Sequence, residues 1–181
     1  MSDRSSVLVV IDMQNDFISG SLGTPEAQAI VDGAVEKVRR WPCEVVYTLD
    51  THGTDYAATQ EGRRLPVPHC IKGTPGWEVP AELKEALDAR DAVAYEKGAF
   101  GSPELARDLA ARNAREPIAR IELIGICTDI CVVSNALLIK AFLPEVPVAV
   151  DATLCAGATP AAHGAALDTM ASCQVEVLNR D

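Results

Sequence analysis

A chain of 181 residues, 48% of them hydrophobic, is about one domain long and carries enough apolar surface for a layered core, which excludes a mainly disordered protein. Its 16 basic and 26 acidic residues give a formal charge of −10, spread along the chain rather than gathered in a tail, and so exclude nucleic acid and anionic membrane as natural partners. No apolar run approaches the roughly 18 to 20 residues that cross a bilayer, residues 1–6 carry no leader pattern, and the six cysteines are too unevenly placed for a disulfide scaffold, so a single cytoplasmic domain over 1–181 is expected.

In chain order, the first predicted strand, 7–11, runs into Asp12-Met13-Gln14-Asn15-Asp16-Phe17. A helix is predicted at 25–40, with Thr24 as its N-cap and Pro25 at its first position. Strand 44–49 follows and leads into Asp50-Thr51-His52. Segment 51–80, rich in Gly, Pro, Thr and charge, has no clear period and is too long for an ordinary connection, so it reads as a functional loop. Next come helix 81–87, strand 92–95 with Glu96-Lys97-Gly98 at its end, and helix 103–112 capped by Ser102. Strand 118–124 then enters Gly125-Ile126-Cys127-Thr128-Asp129-Ile130-Cys131, followed by helix 129–142, strand 146–150, helix 160–172 capped by Thr159, and strand 174–178. Short β-branched runs alternating with amphipathic helices predict repeated βαβ units, hence an α/β fold of three layers, α/β/α, around a mostly parallel sheet of six strands covered on both faces. Ligands of such sheets bind beyond the carboxyl ends of the strands.

Four of those ends carry ionisable groups. Singly, an Asp after a strand is commonly a turn or cap residue, a lone Lys a solvated charge, and a Cys in an apolar helix part of the core. An acid, a base and a thiol at one sheet edge are a set that catalysis can use. Cys131 is the informative thiol: Gly125 is read as closing its strand and Asp129 as capping the next helix, which puts Cys131 in the first turn. Unpaired amides there lower a thiol's pKa and offer donors to an oxyanion. Lys97 would lower it further, and Asp12 is available to take the thiol proton and return it to a leaving amine. Cys127 lies four residues before Cys131, not in a C-x-x-C motif, so redox chemistry is the weaker reading and Cys127 is taken as a small residue whose N–H faces the site. Cys43, Cys70, Cys155 and Cys173 read as buried or incidental thiols.

The loop holds a second set. Asp50 and His52 alternate along an extended segment, with Glu61 and His69 following, and two of the chain's three His fall in this stretch. Two imidazoles and two carboxylates suit Zn²⁺, Fe²⁺ or Mn²⁺ with positions left for water; otherwise they are loop charges and packing rings. His163, on helix 160–172, has no partner in sequence and reads as structural.

The run Asp12-Met13-Gln14-Asn15-Asp16-Phe17, the lysine of Glu96-Lys97-Gly98-Ala99-Phe100-Gly101-Ser102, and Gly125-Ile126-Cys127-Thr128-Asp129-Ile130-Cys131-Val132 together resemble the isochorismatase-like cysteine hydrolases in order and spacing, over nearly the whole chain. The resemblance implies a parallel sheet of order 3-2-1-4-5-6, a catalytic trio of Asp12, Lys97 and Cys131, a non-proline cis peptide at Ile126-Cys127, and an oxyanion hole from the amides of Cys127 and Cys131. In that order strand 3 lies about 10 Å from strand 1, so Lys97 has to reach back. Within the superfamily, Asp50, His52, Glu61 and His69 resemble the metal ligands of nicotinamidases, whereas isochorismatases proper usually lack both the Cys and the metal set.

The resemblance therefore implies hydrolysis of nicotinamide to nicotinate and ammonia through a Cys131 thioester, with a divalent metal, zinc first and iron or manganese after it, and with Phe17 and Phe100 packed on the ring. The alternative is a metal-free hydrolase of the same superfamily acting on a ureido or carbamoyl amide. A non-enzymatic sensor built on Cys127 and Cys131 would need neither Asp12 nor Lys97, and no G-x-G-x-x-G or P-loop follows the first strand. The expected partner is a small amide, not nucleic acid or membrane; apolar helix faces are compatible with a homo-oligomer.

Overall fold

The computed structural model describes residues 5–180; residues 1–4 of the stretch read for a leader lie outside the described residues. Strands β1 (Ser6–Ile11), β2 (Glu44–Asp50), β3 (Val93–Lys97), β4 (Arg120–Ile126), β5 (Val148–Ala156) and β6 (Glu176–Leu178) pair in parallel in the order β3-β2-β1-β4-β5-β6. This is the implied order. The central strand β1 explains the layering: Val7, Val9 and Ile11 enter one apolar cluster and Leu8 and Val10 the other, because successive side chains of a strand point to opposite faces.

The helices are α1 (Asn15–Ile18), α2 (Pro25–Ala29), α3 (Val31–Arg40), α4 (Gln60–Arg64), α5 (Ala81–Asp88), α6 (Pro103–Arg115), α7 (Val133–Phe142) and α8 (Pro160–Ser172). Leu105 and Leu109 of α6, Ala136 and Ile139 of α7, and Leu167 and Met170 of α8 cover one face; Ala34, Val35 and Val38 of α3 and Leu83, Ala86 and Leu87 of α5 cover the other. The three expected Ser and Thr caps form, Thr24 accepting from the Ala27 amide, Ser102 from Leu105 and Thr159 from Ala162, each before a proline. None of the helices among the described residues is long and apolar enough to cross a membrane.

Several boundaries differ from the sequence reading for local reasons. The predicted helix 25–40 is two helices separated at Ile30. Strand β3 is not covered on both faces: it is the sheet's edge, paired to β2 alone, and Val93, Ala94 and Glu96 are exposed. Strand β5 continues to Ala156, past the point where polar Asp151 ended the apolar run, because Lys37 of α3 ion-pairs with both Asp151 and Glu122 of β4 and so allows two carboxylates inside the sheet. Gly125 does not close β4 either. It sits inside the strand at φ +126°, where a side-chain carbon would lie 2.1 Å from the Ile11 carbonyl oxygen, so only glycine lets β4 approach β1 this closely.

The predicted helix 129–142 begins with a π-turn, Thr128–Val132, before α7. The Cys127 carbonyl accepts both the Ile130 amide at 3.1 Å and the Val132 amide at 3.0 Å, which widens the turn. Asp129 does not cap it. Its carboxylate accepts the Ala158 amide at 2.9 Å instead, tying the turn to the start of the next crossover. Single π-turns recur at functional sites, and this one carries Cys131.

Candidate active site and metal centre

Asp12 leaves β1 with φ 44°, a left-handed conformation that Asp tolerates better than most side chains. Its carboxylate is buried; one oxygen accepts the Thr48 hydroxyl at 2.6 Å, and that hydroxyl oxygen accepts the Asp12 amide at 3.2 Å. Lys97, the last residue of β3, lies opposite Asp50 in the β2 to β3 register. Its side chain passes over the end of β2 and brings Nζ to 2.6 Å from Asp12 Oδ2, 3.3 Å from Asp50 Oδ1 and 3.6 Å from Cys131 Sγ. The reach across two strand spacings is therefore made.

Burial opposes the charge of Lys97, but Asp12, Cys131 and Asp50 raise its pKa above the ordinary lysine value, so it is an ammonium at neutral pH. Burial also raises the pKa of Asp12, against the pull of Lys97. The Cys131 thiol is pushed well above its ordinary value, by burial first and by the Asp12 charge second, with Lys97 opposing but not prevailing. This reverses the expectation that the helix start and Lys97 lower it. The resting sulfur carries its proton, with the Asp12 carboxyl within hydrogen-bonding reach. Cys127 is likewise pushed up to about 12, by burial and then by Asp129. The peptide Ile126-Cys127 is cis.

The second set also assembles. Segment 51–80 is not irregular throughout: Tyr56–Ala58 form a 3₁₀ turn, α4 carries Glu61, and His52 bridges to Ile71, its amide donating to the Cys70 carbonyl and its carbonyl accepting from Lys72. One atom each from Asp50, His52, Glu61 and His69 falls within a 4.8 Å sphere of mutual distances. His52 Nε2 is 2.9 Å from Asp50 Oδ2, and His69 Nε2 is 3.6 Å from both Asp50 Oδ2 and Glu61 Oε1. Ligands about 2.0 to 2.2 Å from a central ion stand about 3 to 4.4 Å from one another; the His-to-carboxylate separations of 2.9 to 3.8 Å lie close to that range, so the donor set suits a divalent cation. The His69 Nδ1 faces the Val67 carbonyl at 2.9 Å; donation there fixes the tautomer that leaves Nε2 with its lone pair toward the centre. Burial disfavours a charge on Asp50, but hydrogen bonds with His52 and His69 and the Lys97 ammonium hold its carboxyl well below the usual carboxylate range.

Cys131 and the four candidate ligands open onto one cavity of about 780 Å³, whose wall also includes Cys127, Phe17 and Phe100, with Asp12 and Lys97 buried behind them. Cys131 is only 4% exposed, yet it faces this space rather than the core alone. Phe17 packs against His69 with ring centres 5.4 Å apart, and Phe100 stands at the rim, 47% exposed. Cys155 is buried in the core, Cys173 is exposed and Cys43 half-buried, while Cys70 is buried beside the candidate ligands, next to His69 and with its carbonyl accepting the His52 amide. His163 does have a partner: its Nδ1 is 2.8 Å from the hydroxyl of buried Thr128, in the π-turn.

The isochorismatase domain family matches residues 6–181. The chain belongs to that family. Over 189 aligned residues, 94% of this chain and 97% of the other, it is 31% identical to a nicotinamidase/pyrazinamidase of Mycobacterium tuberculosis. Among solved structures, nicotinamidase/pyrazinamidase PncA from Bacillus subtilis superposes with a TM-score of 0.81 at 28% identity, covering 96% of this chain and 98% of that one. A pyrazinamidase of Pyrococcus horikoshii in complex with zinc superposes with a TM-score of 0.75 at 26% identity, over 97% and 99% of the two chains.

Several residues that build this isochorismatase-family site escaped the sequence reading. Gln14 is buried and clamps Asp50, its Oε1 accepting the Asp50 amide at 2.8 Å while its Nε2 donates to the carbonyls of Asp50 at 2.9 Å and Trp77 at 2.8 Å. Asp16 accepts the Cys70 amide at 2.8 Å, next to His69. Asn135 of α7 donates to the Cys131 carbonyl at 2.8 Å and the Phe100 carbonyl at 3.1 Å, and accepts the Ser102 amide at 2.9 Å. Gln14 and Asp16 share the run that held Asp12, so a signal was there. On α7 the signal was Asn135, a buried amide in a helix whose other polar residues are Ser134 and Lys140.

Proposed function

We propose that this chain is a cysteine amidohydrolase that converts nicotinamide to nicotinate and ammonia, with 1–181 acting as one hydrolase domain. The observation that carries the reading is the joining of the two groups: Lys97 contacts Asp12, Cys131 and Asp50 at once, so the thiol site and the candidate metal centre share one charged hinge and one cavity. When bound, a divalent ion held by Asp50, His52, Glu61 and His69 supplies a Lewis acid that draws electron density from the pyridine ring. Everything else is the work of the chain.

Phe17 and Phe100 hold the faces of the ring. Asp12 takes the proton of Cys131, and the sulfur bonds to the carboxamide carbon while the carbonyl π pair moves onto oxygen. The amides of Cys127 and Cys131 receive that oxyanion. As the C–N bond breaks, Asp12 returns its proton to the departing nitrogen, which leaves as ammonia, and a thioester remains. Water then attacks the thioester carbon, giving a proton to Asp12. Collapse releases the acid, and the proton passes back to the Cys131 sulfur. Lys97 keeps its charge throughout and lowers the cost of carrying negative charge on either neighbour.

The test is ammonia release from nicotinamide by protein stripped with a chelator and by the same protein given Zn²⁺, Fe²⁺ or Mn²⁺. Stripped protein is expected to be inactive, and one of the ions to restore turnover within the ordinary enzyme range of about 1 to 10³ s⁻¹. Metal-replete protein that releases no ammonia would sink the proposal. Stripped protein that hydrolyses ureido or carbamoyl amides would favour the metal-free alternative.

Thr128 holds the π-turn through His163, so it acts as a positioning residue for the oxyanion amides. Thr128→Val is expected to lower kcat on nicotinamide roughly tenfold with little change in KM, because a displaced donor stabilises the transition state less while the ring contacts remain. Thr128→Ser keeps the hydroxyl and is expected to restore kcat, which loss of packing alone would not predict.

A further inference from the structure

The cavity is larger than the proposed reaction requires. Its catalytic end, formed by Cys131, Phe17 and the four candidate ligands, already surrounds a single-ring amide, yet about 780 Å³ lies in the upper part of the range of sites that take drug-sized molecules. The remaining wall includes the apolar side chains of Leu22, Leu65, Phe100 and Ile130 together with polar Thr24, Thr59, Gln60 and Arg64. Leu65 is 36% and Phe100 47% exposed; with Val93 and Phe142 they are the exposed large hydrophobic residues among the described residues. Scattered exposed apolar side chains need no explanation. Two that flank the mouth of the cavity holding the thiol offer a surface for a ligand to cover.

The chemistry fixes where an added group must go. A pyridine-3-carboxamide is pinned at two points, its carbonyl carbon at Cys131 and its ring nitrogen toward His52 and His69. The 5-position is meta to both, so a substituent there points away from both anchors. We propose that the site takes primary pyridine carboxamides carrying a second apolar group on the ring, an aryl or alkyl substituent seated among Leu22, Leu65 and Ile130, beyond the Phe100 side chain that packs on the ring. This rests on the amidase reading and adds the substrate class.

The experiment measures kcat/KM for ammonia release from nicotinamide and from 5-phenylnicotinamide, on metal-loaded wild type and on Leu65→Asp. In wild type the arylated amide is expected to match or exceed nicotinamide, through a KM lower by roughly tenfold from the apolar surface it buries. Leu65→Asp is expected to reduce the ratio of the two kcat/KM values by about tenfold, since a charged side chain now faces the phenyl group. Nicotinamide turnover with a deficit of about a hundredfold or more for the arylated amide overturns the inference and leaves the amidase reading intact. A ratio unmoved by Leu65→Asp removes the seat assigned to the substituent. Failure to hydrolyse either amide overturns the amidase reading, and this inference with it.

Discussion

Cys131→Ala is expected to bind nicotinamide and to turn it over at least about 10³-fold more slowly than the native chain. A pocket that retains its donors and its binding contacts without a nucleophile keeps only a small part of the acceleration. The geometry makes the expected loss this large: the sulfur stands 3.6 Å from Lys97 Nζ, and the neighbouring thiol of Cys127, pushed up to about 12, is also protonated and sits just before the π-turn, without a contact to Lys97 of this kind. Stopped-flow or steady-state ammonia release on the variant, beside equilibrium binding of nicotinamide by calorimetry, separates the two effects. Activity within about tenfold of native would rule out Cys131 as the nucleophile. Lost binding together with lost activity would instead indicate a collapsed cavity. Because the native sulfur rests as a thiol, Cys131→Ser tests a second point: the hydroxyl is harder to deprotonate than the thiol, so it is expected to be almost as inactive as alanine although it matches the native shape closely.

The parts of this site that were legible in the sequence are those placed by strand ends. Asp12, Asp50, Lys97 and Cys131 each follow or end an apolar run, and a parallel sheet brings such ends to one edge whatever the details of packing. The His pair was legible because imidazoles are scarce in this chain. What was not legible depends on contacts between residues far apart. Gln14 and Asp50 are 36 residues apart and Asp16 and Cys70 are 54 apart; the run after β1 marks Gln14 and Asp16 but does not show what they touch. The Thr128 to His163 contact spans 35 residues and two elements, so His163 looked partnerless. The π-turn was hidden for another reason: it changes which amide the Cys127 carbonyl accepts, not the apolar pattern of the helix. The protonation of Cys131 was misjudged because a sequence shows the neighbouring charges and helix start but not the burial that outweighs them.

Lys97→Met is expected to damage stability and chemistry together, and the two losses come from the same ammonium. Met fills much of the same space but leaves Asp12 and Asp50 buried at one site without a countercharge, and breaking a buried ion pair from one side costs about 3 to 5 kcal/mol. The native pKa of Lys97 is raised above its ordinary value, so its contribution to stability is fully present below about pH 10.4 and fades only as the pH rises through the higher folded value. A urea midpoint measured at pH 7 therefore reports the whole effect. Chemistry suffers through Asp12. Burial already raises its pKa and Lys97 is the main influence lowering it, so the variant's Asp12 holds a proton nearer neutrality and cannot accept one from the thiol. Residual kcat/KM on nicotinamide is expected to be down by about 10² or more at pH 7 and to climb with pH more steeply than in the native chain as Asp12 ionises. A variant that unfolds at the native urea midpoint would show that the Lys97 pairs carry little stability. One with a native pH profile would show that Lys97 does not tune the acid. Lys97→Arg is the sharper comparison: it restores a permanent charge and most of the stability, but its planar fork cannot place one donor among Asp12, Asp50 and Cys131 as the ammonium does, so turnover is expected to stay low.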